Sequence, residues 1–233
     1  MQLYALIVAG GSGKRMQTET PKQFLELAGK PVLMHTIERF KAFNDSIEII
    51  TVLPENQIEY WMSVQKKYSF SIKQTIVAGG TTRFHSVKNG LEFVSEFGLV
   101  AIHDGVRPFV SADTIKRCFD TAEKLGNAIP VVTITESLRM ITDEGSSPID
   151  RQKIRIIQTP QVFNASMIKK AYQREYRSEF TDDATVLETF GEKINLVEGN
   201  KENIKITAPE DLLISDVLLT VVKNDRSYRQ MHN

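Results

Sequence analysis

The chain has 233 residues, 29 acidic against 29 basic, with a hydrophobic fraction of 41%. That is enough apolar material for one large buried core, and the zero net charge argues against a broad basic field for wrapping nucleic acid or coating an anionic membrane. Cys118 is the only cysteine, which excludes an intrachain disulfide, argues against a cysteine-based zinc site and suggests a buried thiol in a reducing cytoplasm. The first residues carry no basic leader pattern, and no apolar run approaches the about 18 residues of a bilayer span, so the chain reads as soluble and unexported.

In chain order, the first predicted strand is Leu3–Val8, which breaks into Ala9-Gly10-Gly11-Ser12-Gly13-Lys14-Arg15-Met16, with Pro21-Lys22-Gln23-Phe24 shortly after. Three glycines in four residues let the backbone turn sharply and bring its N–H groups close to an anion. Arg15 and Lys22 add side-chain cations, so the segment points to nucleotide phosphates. It is neither of two better-known phosphate loops. A P-loop would need Gly where Val8 stands and Ser or Thr at Arg15, and the dinucleotide fingerprint meets Met16 where its third Gly belongs. A plain flexible turn remains the alternative, and the Pro-Lys-Gln-Phe element weighs against it.

A helix over Val32–Ala42, a strand over Ile47–Leu53, a helix over Gln57–Lys67 and a strand over Ile72–Val77 follow. The last strand ends at Gly79-Gly80, ahead of Thr81 and a helix over Thr82–Val94 that contains Ser86. Backbone and hydroxyl groups there could read a base or ribose; equally, Thr81 or Thr82 could only cap the helix. Strand Leu99–Ile102 then runs into His103-Asp104-Gly105-Val106-Arg107-Pro108. In open parallel sheets ligands sit outside the carboxyl ends of the strands, which favours Asp104 as a hydroxyl or metal contact and Arg107 as a phosphate contact over a salt bridge that only closes the loop. His103 reads as structural.

After a helix over Ser111–Lys124 and a strand over Ala128–Ile134, the polar stretch Thr135–Arg155 breaks the rhythm, with a turn signal at Asp143–Pro148. It reads as an extended hairpin arm, whose apolar positions another copy of the chain would cover. Helices are predicted over Ala165–Arg174, Asp182–Phe190 and Pro209–Val222, the last with a Thr207/Glu210 capping box. The continuous apolar strands imply an α/β fold with a parallel sheet covered on both faces. Asp150-Arg151, Gln158-Thr159-Pro160-Gln161, Thr181-Asp182-Asp183 and Asn203-Ile204-Lys205 are each weak alone: Thr181 could be a cap and Lys205 an exposed strand residue. Zinc-peptidase and serine-hydrolase signatures are missing.

Together these motifs resemble the nucleotidyltransferases that join a sugar or polyol phosphate to a nucleoside triphosphate, in particular the 2-C-methyl-D-erythritol 4-phosphate cytidylyltransferase family, from Leu3 to about Leu219. The resemblance implies a Rossmann-like, mostly parallel sheet with helices on both faces and a projecting β-hairpin arm. Length and composition predict one domain over residues 1–224 and a flexible tail over 225–233, and the polar stretch predicts a dimerisation arm over 135–155. Arg15, Lys22 and Lys205 match catalytic positions, and Ala9, Gly10, Gly11, Gly80, Thr81 and Ser86 match the nucleotide site. Asp104, Arg107, Ser137, Arg151, Thr159 and Thr181 match the acceptor site, with Arg151 delivered by the arm to a neighbouring subunit of a homodimer. The cofactor implied is Mg2+, held mainly through the CTP phosphates, with Asp104 as a candidate contact. The chain departs from the family pattern at Glu136-Ser137, where an Asp-Thr pair is usual, and at Gly105-Val106, where two alanines are common. Ribitol-5-phosphate cytidylyltransferases share the loop and the Pro-Lys-Gln element; Asp150-Arg151 favours the methylerythritol family. A nucleotide-binding regulatory module without turnover is the alternative from another class.

Overall fold

The computed structural model describes residues 1–10 and 20–231, with side chains through Thr220. Its elements are β1 (Leu3–Val8), β2 (Glu26–Leu27), β3 (Lys30–Pro31), α1 (Val32–Phe43), β4 (Glu48–Leu53), α2 (Glu55–Lys67), β5 (Thr75–Ala78), α3 (Arg83–Leu91), β6 (Leu99–Asp104), α4 (Ala112–Leu125), β7 (Asn127–Thr133), β8 (Leu138–Thr142), β9 (Gly145–Ile149), β10 (Arg155–Ile157), β11 (Gln161–Asn164), α5 (Ala165–Ala171), α6 (Asp183–Glu188), β12 (Leu196–Glu198) and α7 (Pro209–Met231).

Strands β5, β4, β1 and β6 pair in that order and in parallel. β11 joins β6 antiparallel, and β7 pairs antiparallel with β11. β10 and β11 follow one another along the same edge of β7: the Gln158 N–H donates to the Pro130 carbonyl and the Asn164 N–H to that of Gly126, both at 2.8 Å. β12 takes the other edge of β7, in parallel. The sheet is thus mostly parallel, as the apolar runs imply.

Alternation along the central strand decides what each face buries. Ala5 and Ile7 point into one cluster with Leu33, Ile37 and Phe40 of α1, Trp61 of α2, and Ile115 and Phe119 of α4. Tyr4 and Leu6 point into the other, with Val87 of α3, Ile168 of α5 and Leu187 of α6. A continuous apolar strand covered by helices on both sides is what makes a parallel sheet stable. A third cluster, Leu27, Val32, Val106, Phe109, Ile206 and Leu219, docks α7 against the loop that follows β6.

Several boundaries differ from the sequence pattern. α3 ends at Leu91 because the Glu92, Phe93 and Val94 N–H groups turn back three residues, to Asn89, Gly90 and Leu91. α7 is capped by Asp211 rather than Glu210: one carboxylate oxygen accepts from the Thr207 N–H at 2.7 Å, the Thr207 hydroxyl at 3.0 Å and the Ala208 N–H at 2.9 Å. The backbone stays helical to Met231, into the segment expected as a tail, since that stretch holds no Gly or Pro and extending an existing helix is easier than starting one. The antiparallel strand β10–β11 was not legible, being short and interrupted at Gln158-Thr159-Pro160, where the Thr159–Pro160 peptide is cis.

Among the described residues the hairpin β8–β9 pairs only with itself, Thr142 facing Gly145, and it is exposed along nearly its whole length. The Arg151 guanidinium donates to the Thr135 carbonyl and closes its base. Met140 and Ile141 on the hairpin, and Ile154, Ile156 and Ile157 just after it in the chain, are exposed. Among the described residues no helix is long and apolar enough to cross a membrane.

Gly98 sets the approach of β6 to β1. Its φ is +155°, and an added Cβ would stand 2.5 Å from the Gln2 carbonyl oxygen, which accepts from the Leu99 N–H at 3.0 Å. A Gly98→Ala chain is therefore expected to lose about 1–3 kcal/mol of stability, read as a lower urea midpoint at constant slope. An unchanged midpoint would contradict this account of the turn.

Candidate active site

The carboxyl ends of the parallel strands meet at one rim. Ala9 and Gly10 leave β1, Gly79 and Gly80 leave β5, and Asp104 ends β6. The ladder continues one residue past the strands: the Ala9 N–H donates to Val52 at 2.9 Å, Gly79 to Leu53 at 2.7 Å and Gly105 to Val8 at 2.8 Å. Between these turns the described residues enclose a cavity of about 290 Å³. Gly10, Gly80, Thr81 and Ser86 form one part of its wall, and Lys22, Arg83, Asp104 and Lys205 another.

The Gly80 side is built by hydrogen bonds. The Gly80 N–H donates to Ser86 Oγ at 3.1 Å, and that hydroxyl reaches the Thr82 carbonyl at 2.9 Å. A Cβ on Gly80 would collide with that of His85, so the turn needs glycine. Thr82 caps α3, its side chain accepting from the His85 N–H; Thr81 is exposed at the rim.

The Asp104 side is electrostatic. Lys205 Nζ and Arg107 Nε each lie 3.1 Å from Asp104 Oδ2, and Arg83 Nε lies 3.9 Å from Oδ1. Burial alone would raise the Asp104 pKa, but Lys205, Arg83 and Arg107 outweigh it and hold the carboxyl well below the usual range. Arg83 makes a fork to buried Asp183, at 2.8 and 2.7 Å, and the Tyr172 hydroxyl donates to the same carboxylate at 2.6 Å. Burial works against the Arg83 charge, yet Asp183 keeps its pKa above the ordinary value. Three cations on two carboxylates leave this cluster with one net positive charge, and Lys22 adds another at the wall. Arg107 also donates to the Asn203 carbonyl at 2.8 Å, tying the segment that carries Lys205 to the loop after β6.

Thr159 sits behind this wall. Its hydroxyl accepts from the Asp104 N–H at 3.1 Å and faces His103 Nδ1 at 3.0 Å, while His103 Nε2 faces the Arg107 carbonyl at 3.1 Å. A neutral imidazole carrying its proton on Nε2 satisfies the chain, with the Thr159 O–H donating to Nδ1. Thr159 therefore reaches the cavity through the Asp104 backbone, and His103 is structural, as expected.

The structure thus brings Ala9, Gly10, Lys22, Gly80, Thr81, Ser86, Asp104 and Lys205 to one cavity, with Arg107 and Thr159 behind Asp104. Gly11 and Arg15 lie outside the described residues. Thr181 is exposed, its hydroxyl 3.3 Å from that of Thr185, and Asp182 rather than Thr181 caps α6, because its carboxylate accepts the Thr185 N–H at 2.9 Å. Ser137 and Arg151 are exposed near the arm and do not line the cavity of their own chain. Arg83, Asp183 and Tyr172 are additions that sequence reasoning missed.

A glycine turn, a second glycine turn and clustered cations at the carboxyl rim of a doubly covered parallel sheet define an α/β protein built to receive a nucleotide. Residues 3–221 match the family model for 2-C-methyl-D-erythritol 4-phosphate cytidylyltransferase. The enzyme of that name from Bacteroides fragilis is 52% identical over 215 residues, covering 92% of this chain and 98% of its own. The one from Phocaeicola vulgatus is 50% identical over 219 residues, covering 94% of this chain and 100% of its own. The crystal structure of 4-diphosphocytidyl-2C-methyl-D-erythritol synthase from Anaerococcus prevotii is similar at a TM-score of 0.80 and 29% identity, over 94% of this chain and 96% of that one. The chain belongs to the 2-C-methyl-D-erythritol 4-phosphate cytidylyltransferase family.

Burial pushes the His103 imidazole down from 6.5 to about 4. Between those values the unfolded chain binds a proton that the native chain does not, so stability must fall as pH drops through that window, by roughly 3 kcal/mol in all. Asp104 acts in the same sense at lower pH: its depressed carboxyl stabilises above the unfolded value of about 3.9, and that contribution is lost on further acidification. His35, also lowered by burial, adds to the slope, so the test is a comparison. Urea midpoints of a His103→Gln chain should vary less between pH 6.5 and 4 than those of the wild type, and equal slopes would remove His103 as the cause.

Proposed function

We propose that the protein transfers CMP from CTP to 2-C-methyl-D-erythritol 4-phosphate, giving 4-diphosphocytidyl-2-C-methyl-D-erythritol and pyrophosphate in non-mevalonate isoprenoid precursor synthesis. The observation that carries this reading is the convergence of Gly10, Gly80, Lys22 and Lys205 on one cavity in a chain of this family. The family assignment favours methylerythritol phosphate over ribitol phosphate as acceptor.

The acceptor phosphate attacks the α-phosphorus in line. A phosphate monoester with second pKa of about 6 is mostly dianionic near neutrality, so neither a protein nucleophile nor a general base is needed. The barrier is electrostatic, because two anions must meet while charge builds on the α-phosphoryl oxygens and the leaving pyrophosphate. Positioning and fixed positive charge are what a protein can supply. In this reading Arg15 and the glycine turn hold the triphosphate, Lys22 and Lys205 face the α-phosphoryl group, and Gly80, Thr81 and Ser86 receive ribose and base. Asp104, Arg107, Thr159 and Thr181 belong to the acceptor side. For Thr159 the supporting observation is its hydrogen bond to the Asp104 N–H.

Mg2+ fits this site as part of the CTP complex. Asp104 is the one carboxylate among the described wall residues and already faces three cations, and no cluster of three or more His, Cys, Asp or Glu that could hold a metal occurs among the described residues. Triphosphate oxygens and water would then supply most of the ligands, and the metal would add charge neutralisation on the phosphates.

We assign the hairpin to a homodimer in which Ser137 and Arg151 serve the neighbouring subunit's acceptor site. Their position outside their own cavity supports this, as do the exposed apolar side chains beside them. A cytoplasmic setting accords with Cys118, a buried thiol whose pKa burial pushes up to about 12.

Pyrophosphate release with CTP and Mg2+ tests the reading, methylerythritol 4-phosphate and ribitol 5-phosphate being offered side by side. Strong preference for the first is expected. Preference for the second overturns the acceptor, and CTP binding without release with either supports a regulatory module. In the same assay Lys22→Ala should lose about 10²–10³ in kcat with its unfolding midpoint retained; normal turnover would remove Lys22 from the chemistry.

Arg151→Ala should raise the acceptor KM more than the CTP KM. Mixed with Lys22→Ala, it should recover activity, because one site of a heterodimer then has both groups. Failure to complement, with heterodimers demonstrated, would place Arg151 in its own chain's site or in none.

A further inference from the structure

Lys22 stands on a single 3-10 turn, Lys22–Phe24, entered from Pro21 at φ −57°. So short a turn has poor hydrogen-bond geometry of its own, and neighbouring side chains must help to fix it. Three of them come from α2. The ring of Phe24 stacks on Trp61 with centroids 5.8 Å apart and meets the edge of Tyr60 at 5.1 Å. Gln23, fully buried, donates from Nε2 to Gln57 Oε1 at 2.6 Å.

The Gln23 carboxamide is finely balanced. Its carbonyl oxygen is buried without a hydrogen-bond partner among the described residues, so the bond to Gln57 is what satisfies the amide. A buried polar group left with neither end paired is strongly disfavoured. Without the Gln57 acceptor, Gln23 must turn to find another partner, and the adjoining Lys22 backbone turns with it. Gln57 itself is half-buried in the first turn of α2 and outside the cavity wall.

We propose that Gln57 is a positioning residue for CMP transfer, acting through Gln23 to set the Lys22 ammonium against the nucleotide phosphates. This rests on the reading of Lys22 given above. An error of about 1 Å in the placement of such a group can cost as much as 10²-fold in rate.

The experiment compares Gln57→Met, which keeps the volume and removes the acceptor, with Gln57→Glu, which keeps an acceptor oxygen, each in wild-type and Lys22→Ala backgrounds. Steady-state kcat and both KM values are measured on the full chain, with urea midpoints alongside. Gln57→Met should lose about ten-fold in kcat at an unchanged acceptor KM, Gln57→Glu should stay within about two-fold of the wild type, and in the Lys22→Ala background Gln57→Met should cause no further loss. A merely structural defect would add to Lys22→Ala instead of vanishing in it. Wild-type kcat in Gln57→Met, a full additional loss in the Lys22→Ala background, or an equal loss in Gln57→Glu each overturns the proposal. A Lys22→Ala chain with full kcat overturns the reading of Lys22 itself, which is seen in a different variant.

Discussion

One carboxylate organises the rim. Asp104 ends a strand buried in the middle of the sheet; Arg107 reaches it from the loop three residues on, and Arg83 and Lys205 from distant parts of the chain. Such a group is costly to desolvate, and a buried ion pair is weak evidence for net stability. Its consequence is arrangement. With Asp104 in place the three cations can share a small volume; without it they would repel one another and the segments carrying them would separate. The Asp104 backbone is fixed in turn by Thr159, and Thr159 by a neutral His103.

This arrangement gives a chain of zero net charge a locally positive site. Asp183, with Tyr172 donating to it, holds Arg83 from behind, so the guanidinium keeps its orientation before any ligand arrives. Preorganised charge of this kind needs no reorganisation during the reaction, which is where electrostatic catalysis gains most. The internal carboxylates also temper the field, leaving the Arg83, Arg107 and Lys205 cluster a single net positive charge beside that of Lys22. That suits a site which must release anionic products as well as bind anionic substrates.

Much of this was legible because the signals are local. A strand followed by glycine, or by Asp, marks the carboxyl rim in a short stretch of sequence; hence Gly10, Gly80, Asp104 and Lys22 could be named together. The Arg83–Asp183 fork joins residues a hundred positions apart, and each alone reads as an ordinary polar helix start. Thr159 was read as an acceptor-site residue from the family resemblance alone; its hydrogen bond to the Asp104 N–H is a contact that sequence could not supply. Thr181 looked like a cap, but the neighbouring Asp182 has the carboxylate that reaches the helix N–H. The antiparallel β10–β11 strand escaped notice because three residues break its alternation midway.

The arm is where local physics runs out. A two-stranded ribbon is marginal in water by itself, and among the described residues β8–β9 is paired with nothing else while Ile141 stands 79% exposed. Its Pro148 occupies a strand position, which is tolerated only at an edge, so lateral extension of this ribbon into a larger sheet is blocked on that side. Cover across its face avoids that edge. The neighbouring apolar side chains Ile154, Ile156 and Ile157 are exposed in the same region, and a second copy offers an identical surface, so a self-complementary two-fold contact can bury both at once. The proposed dimer accounts in one step for the exposed apolar residues and for Ser137 and Arg151 lying outside the cavity of the chain that bears them.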